Sequence, residues 1–147
     1  MVKNLLLACA ILLLAGCKGS PSLVGKWSSQ SDASGITITT ITEHKADGTF
    51  TSTSTGASSS ATTLNVAEHG TWKAEGEKLK LTYADITWSF SGGKLELVKR
   101  ANERFKSNKS NIIAEANRIG AVTVVWSGND EFSATVDGKK YTYRRVK

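Results

Sequence analysis

The stretch "GTWKAEGEKLKLTYADITWSF", Gly70 to Phe90, decides the fold. Gly70 and Trp72 share one parity, and Leu64 and Val66 continue it upstream. The segment "AEGEK", Ala74 to Lys78, is polar and holds a glycine, so it turns the chain. Leu79, Leu81 and Tyr83 then alternate, and Ile86, Trp88 and Phe90 alternate on the opposite parity. Successive side chains on a strand point to opposite faces, so period two means strand. Two such runs around a short turn make an antiparallel hairpin. The phase change inside the second run predicts a bulge or a tight turn at Ala84-Asp85.

The same period recurs on both sides of this hairpin. "LVGKWSS", Leu23 to Ser29, is the first candidate strand. In "GITITTITEH", Ile36 and Ile38 alternate and Ile41 falls on the other parity, which predicts a second bulge. Asp47-Gly48 and Asp137-Gly138 are hairpin turn signals, because both positions tolerate positive φ. The Ser/Thr-rich stretch Phe50 to Thr63 reads as a polar strand followed by a mobile turn over Gly56 to Ser60. Near the C-terminus, "AVTVVW", "EFSATV" and "YTYRRV" restore strand periodicity. Between them and the hairpin, Val98, Ala101, Phe105, Ile112, Ala116 and Ile119 recur mostly every three to four residues. That is a helical stripe with a polar break at Ser107 to Ser110, so one broken helix or two short ones are expected. The sum is a mainly β chain: a small antiparallel β-barrel of about eight to nine strands, with a helical insertion before the last strands. Closure removes exposed edges.

The N-terminus reads differently. Lys3 precedes an apolar run, Leu5 to Leu14, that is shorter than the roughly 20 residues a spanning helix needs. Residues 1–16 therefore read as a signal peptide. Leu14, Ala15, Gly16 and Cys17 resemble the lipobox of bacterial lipoproteins at all four positions. The resemblance implies a peptidase that recognises Leu14, Ala15 and Gly16, cleavage before Cys17, and acyl chains on Cys17 that anchor the protein in a membrane. Several acyl chains hold far better than one, because each buried methylene contributes about 0.8 kcal/mol. Residues 17–22 would be the lipidated cysteine and its tether, and residues 23–147 the barrel domain. Lys18 leans, again by resemblance, towards the outer membrane facing the periplasm of a bacterial cell envelope. The other cysteine, Cys9, lies within the apolar run, so no disulfide framework is expected in the mature chain.

The chain of 147 residues carries a net charge of +6. A basic balance in an exported protein favours anionic lipid heads or glycans. No nucleic-acid-binding motif or aromatic-basic platform is present, so nucleic acid is not an expected partner. The charge concentrates over 94–109, where Lys94, Lys99, Arg100, Arg104, Lys106 and Lys109 face only Glu96 and Glu103. Those residues form either a solvated outer face or a basic lid that meets lipid head groups or an acidic envelope partner.

At "LVGKW" a second resemblance enters. Gly25-Lys26-Trp27, then Asp47 to Phe50 ("DGTF"), then Gly70 to Tyr83, then the closing "YTYRRVK" together look like bacterial lipocalin-like lipoproteins of the calycin type. The resemblance implies a barrel floor at Gly25 and Trp27, with an arginine of the last strand lying across the indole. Arg145 shares parity with Tyr141 and Tyr143, and Arg144 with Val146. Arg145 takes the role by choice, and Arg144 remains the alternative. A guanidinium over an indole contributes roughly 0.5–2 kcal/mol. Trp72, Trp88 and Trp126 either line an apolar ligand cavity or fill the core, since an eight-stranded barrel has room for one small ligand.

Chemistry beyond binding is not evident. His44 and His69 each follow a glutamate, but neighbours on a strand diverge, so Glu43-His44 and Glu68-His69 do not chelate and read as solvated surface. No metal and no cofactor are expected. No Gly-x-Ser-x-Gly elbow, phosphate loop or cysteine nucleophile appears, so the chain is not expected to be an enzyme. The leading expectation is a lipid-anchored barrel that binds a small apolar or amphiphilic molecule. The alternative is an envelope interaction, inhibitor or structural module without a cavity. An apolar cavity opening beside residues 94–119 favours the first, and a core filled by all four tryptophans favours the second.

Overall fold

A computed structural model describes residues 21–147 apart from residues 34, 59 and 60. The expected signal peptide, Cys17 and most of the expected tether therefore lie outside the described residues. Eight strands run as β1 (Gly25–Ala33), β2 (Ile36–His44), β3 (Thr49–Ala57), β4 (Thr63–Glu75), β5 (Lys78–Ser91), β6 (Val122–Trp126), β7 (Glu131–Val136) and β8 (Lys139–Arg145). A single helix, α1 (Leu95–Arg118), stands between β5 and β6. All neighbouring strands are antiparallel, and β8 returns to β1 through Trp27↔Arg145, closing the barrel.

The β4–β5 hairpin holds the bulge expected at Ala84-Asp85. His69 pairs with Asp85 and Gly70 with Tyr83, so Ala84 is the extra residue. The bulge restores phase: Tyr83 and Ile86 both face inward despite opposite parity. Gly70 is needed beside it, because a side-chain carbon there would collide with the Thr82 carbonyl oxygen and Phe50.

The second expected bulge, in β2, does not exist. The ladders from β2 to β1 and to β3 run without a register shift, and Ile41 points outward, 42% exposed. Thr40, Thr42 and His44 take the inward positions instead. The inner face can be polar there because hydroxyls pair across strands, Thr40 with Ser54 at 2.7 Å and Thr42 with Ser52 at 3.1 Å. The turn expected over Gly56 to Ser60 also starts later, since Gly56 lies inside β3 and is buried. A Cβ at Gly56 would sit 3.0 Å from Ile36 and 3.1 Å from Ile38, so its missing side chain admits both isoleucines.

Helix α1 is continuous, contrary to the expected break at Ser107 to Ser110. Lys109 falls on its sheet-facing side and its ammonium reaches Asp85 at the bulge, 2.6 Å away. The polar interruption is thus a bridge between helix and strand, with the Lys109 stem covering apolar surface. Phe105 continues the contact, stacking on Trp88 at 4.4 Å and Phe90 at 5.3 Å.

The helix solves an edge problem. Among the described residues β6 pairs with β5 only at Lys78↔Thr123 and Leu79↔Val122, which leaves most of the β5 edge opposite β4 without a strand neighbour. Two asparagines of α1 substitute for that neighbour. Asn117 Nδ2 donates to the Tyr83 carbonyl at 3.0 Å, and its Oδ1 accepts the Tyr83 amide at 2.7 Å. Asn102 does the same at Phe90, at 3.2 and 2.8 Å. A carboxamide presents the donor and acceptor of a peptide group, so each asparagine replaces one rung of a ladder. The spacing fits: fifteen residues of helix rise about 22 Å, and seven residues of strand about 23 Å.

Candidate functional site

At the floor of the barrel, Trp27 is fully buried and packs edge-on against Phe132 at 4.7 Å and Trp126 at 5.9 Å. The Arg145 guanidinium carbon stands 4.2 Å from the Trp27 ring centroid. Its Nη1 donates to the Val24 carbonyl at 3.0 Å, its Nη2 to the Ser22 carbonyl at 2.8 Å, and its Nε to Asp130 at 3.1 Å. Arg144 points away and pairs with Glu131 at 2.8 Å. Gly25 completes the group: its φ is +127°, and a Cβ would meet the Arg145 Nη1 at 2.7 Å. Gly25, Trp27 and Arg145 thus form one packed unit, over which Ser22 and Val24 lead the chain into β1.

Above the floor lies a cavity of about 120 Å³. Leu79, Leu81, Val122, Phe132, Ala134 and Val136 supply apolar wall, and Thr42, His44, Tyr83 and Tyr143 supply polar atoms. Ala116, Ile119 and Gly120 border it where α1 runs into β6. Ile119 and Gly120 are exposed, so the cavity meets the surface beside the C-terminal end of the helix. Its volume is below the roughly 300–1,000 Å³ of drug-sized ligand sites. It is close to the engineered cavity of about 150 Å³ that holds benzene.

The polar groups are arranged in two sets. His44 is 3% exposed, and its Nδ1 donates to the Leu23 carbonyl at 3.3 Å, the same oxygen that accepts the Trp27 indole N–H at 2.7 Å. Burial disfavours the charged ring and lowers the His44 pKa from 6.5 to about 4. The imidazole is therefore neutral at pH 7, and its Nε2 is buried without a partner. The second set crosses three strands: Thr42, Ser52 and Glu68 are register partners on the inner face. Glu68 is half-buried opposite Ser52, and burial raises its pKa above the ordinary carboxylate value. Tyr83 and Tyr143 are raised as well, first by burial and further by the Glu68 charge nearby.

The three remaining tryptophans do not line this cavity. Trp72 and Trp126 pack against the floor cluster, with Trp72 also 5.2 Å from His44 ring to ring. Trp88 lies under α1, and its buried indole N–H has no partner. The reading of both histidine–glutamate pairs as solvated surface needs correction. Each pair diverges as strand geometry requires, and the divergence turns His44 and Glu68 inward while leaving His69 exposed. Between Ile38 and His44 on β2, and after Phe50 on β3, the inward positions carry Thr and Ser, so apolar alternation lapses there.

Helix α1 stands beside β5 as wall; Lys94 precedes it, and Lys99, Arg104 and Lys106 are exposed along it. Of the basic residues between 94 and 109, Arg100 is paired with Glu96 and Lys109 with Asp85. Among the described residues no cluster of three or more metal-ligating side chains occurs. None of the described helices is long and apolar enough to cross a membrane. No protein-family model matches the chain, and no curated protein sequence matches it significantly.

Proposed function

We propose that the protein is a lipid-anchored component of a bacterial cell envelope whose lipocalin-like barrel binds a small apolar or amphiphilic molecule. One observation carries the binding reading: the barrel interior holds a cavity with apolar walls and a few convergent hydroxyls, opening beside α1. A core designed only for stability would fill such a space, since voids cost packing energy. The volume limits the occupant to a small molecule or one end of a longer one.

The anchoring reading rests on Leu14 to Cys17 and on the short segment from Lys18 to Ser22, which leads into the Trp27 end of the barrel. In this reading acyl chains on Cys17 hold the floor end towards the membrane, in an outer membrane facing the periplasm. A second reading, an interaction module, draws on Leu95 and Leu97, 83% and 61% exposed beside Lys94 and Lys99 on α1.

Native mass spectrometry of the full chain, extracted from its host envelope, tests the proposal, with solvent extraction of whatever is bound. A stoichiometric small adduct on a lipidated chain is expected. An unliganded mass that also rejects a panel of small apolar molecules would shift the assignment to the interaction module. Cys17→Ser is expected to abolish lipidation and processing at that site, and unchanged membrane attachment would contradict the anchor.

A further inference from the structure

The cavity wall carries no charged side chain. Thr42, His44, Tyr83 and Tyr143 are its polar members, and none of the described residues lining it is a lysine, arginine, aspartate or glutamate. A charged ligand placed there would give up its water and gain no partner, which costs far more than burying a neutral group. The wall thus suits a neutral occupant.

Thr42 is already engaged, its hydroxyl meeting Ser52 at 3.1 Å. His44 is engaged on one side only. Its Nδ1 faces the Leu23 carbonyl at 3.3 Å, and a carbonyl can only accept, so Nδ1 carries the ring proton. Burial keeps the ring neutral at pH 7, which leaves Nε2 as a bare acceptor. Leu23 belongs to the floor cluster with Trp27. The two nitrogens of an imidazole point to widely divergent sides of the ring, so Nε2 turns from the floor, towards the side on which the cavity lies. It is buried and has no hydrogen-bond partner in the protein. Buried polar atoms are nearly always paired, and an acceptor left without a donor is costly.

The rest of the wall sets the shape. The space of about 120 Å³ is that of one small ring. Phe132 and Tyr143, stacked at 4.7 Å, offer aromatic faces and edges to it. From the uncharged wall and the bare His44 nitrogen we infer that the ligand is a small neutral hydroxyl compound of the phenol type. Its hydroxyl would donate to His44 Nε2, and its ring would lie against Leu79, Leu81 and Phe132. This rests on the binding reading above and assigns its ligand class.

The test is isothermal titration of the full chain in dodecyl maltoside at pH 7 with phenol, toluene, benzoate and benzylamine, against empty micelles. Toluene has nearly the shape of phenol and leaves water more readily, so apolar transfer alone would favour it. Phenol is nevertheless expected to bind about threefold more tightly than toluene or better, with both ions weakest. The order of phenol and toluene should reverse in His44→Phe, with its fold checked by circular dichroism. Nitrogen-15 spectra of the unsubstituted chain give a second readout: phenol should move the His44 Nε2 resonance and spare the exposed His69. If toluene binds better than phenol, if His44→Phe keeps the preference for phenol, or if the Nε2 resonance stays in place, the hydroxyl assignment is overturned while the cavity reading stands. Tighter binding of benzoate or benzylamine than of phenol overturns it as well. Binding of none of the four overturns both. The spectra decide the matter even if the variant does not fold.

Discussion

At the end that holds Trp27, strands meet strands on every side, and Trp27, Phe132 and Arg145 occupy the space they enclose. Towards the other end, β5 meets a helix, and two asparagines stand where a ladder would. A strand neighbour satisfies the edge at every second residue. A helix has spent its backbone groups internally and can offer only side chains. The helix-walled part is therefore held by fewer, discrete bonds, and the cavity reaches the surface at the lower end of that wall. Local opening is favoured where such bonds are few, so the mouth of the cavity and the weak seam coincide.

The largest effect should come from the strand-closed end. Trp27→Ala is expected to cost about 3–5 kcal/mol, because the indole is wholly buried and its loss empties the floor. Chemical denaturation measures it, and a loss near zero would remove the contrast between the two ends. Acid should act at the same end. His44 has a folded pKa of about 4 against 6.5, so the unfolded chain binds more protons between those values. Stability is then complete above pH 6.5 and declines as pH falls towards 4, by about 3 kcal/mol in all. The difference between the unsubstituted chain and His44→Asn across that window isolates the contribution, and parallel curves would contradict it.

At the helix-walled side the effects should be smaller and local. Asn102→Ala and Asn117→Ala are each expected to cost about 1–3 kcal/mol, since each strands a partly buried amide and carbonyl of β5. Lys109→Met should do least, because the Lys109–Asp85 pair is partly exposed and solvent screens it. The hydrogen bond to Lys109 lowers the Asp85 pKa below 3.8, so the pair's contribution is present above that value and lost as pH falls through the lowered one. Comparing unfolding midpoints at neutral and acid pH should show a small deficit in Lys109→Met that disappears in acid.

Much of this contrast was legible in the residues. Period two along Gly70 to Phe90 revealed the hairpin and located its bulge, because a bulge leaves a phase change in the pattern. Parity left Arg145 and Arg144 both open, and the structure puts Arg145 on Trp27. Ile41 misled because β2 turns Thr40, Thr42 and His44 inward, and parity counted on apolar residues misses a polar inner face. Ser107 to Ser110 looked like a break because the partner of Lys109 lies at Asp85, far off in sequence. Asn102 and Asn117 left no signal at all. An asparagine on a helix reads as surface until the unpaired edge beside it is known, and that edge is a property of topology. Glu68 was hidden in the same way, by hydroxyl neighbours on β3.

Amide hydrogen exchange at Tyr83 and Phe90 tests most directly whether α1 serves as the missing strand. Both amides should be protected, Asn117→Ala should speed Tyr83 and spare Phe90, and Val124, bonded to the Glu77 carbonyl at 2.7 Å, should not change. Unprotected amides at both positions, or no response at Tyr83 to Asn117→Ala, would mean that the helix merely lies beside the barrel and does not complete it.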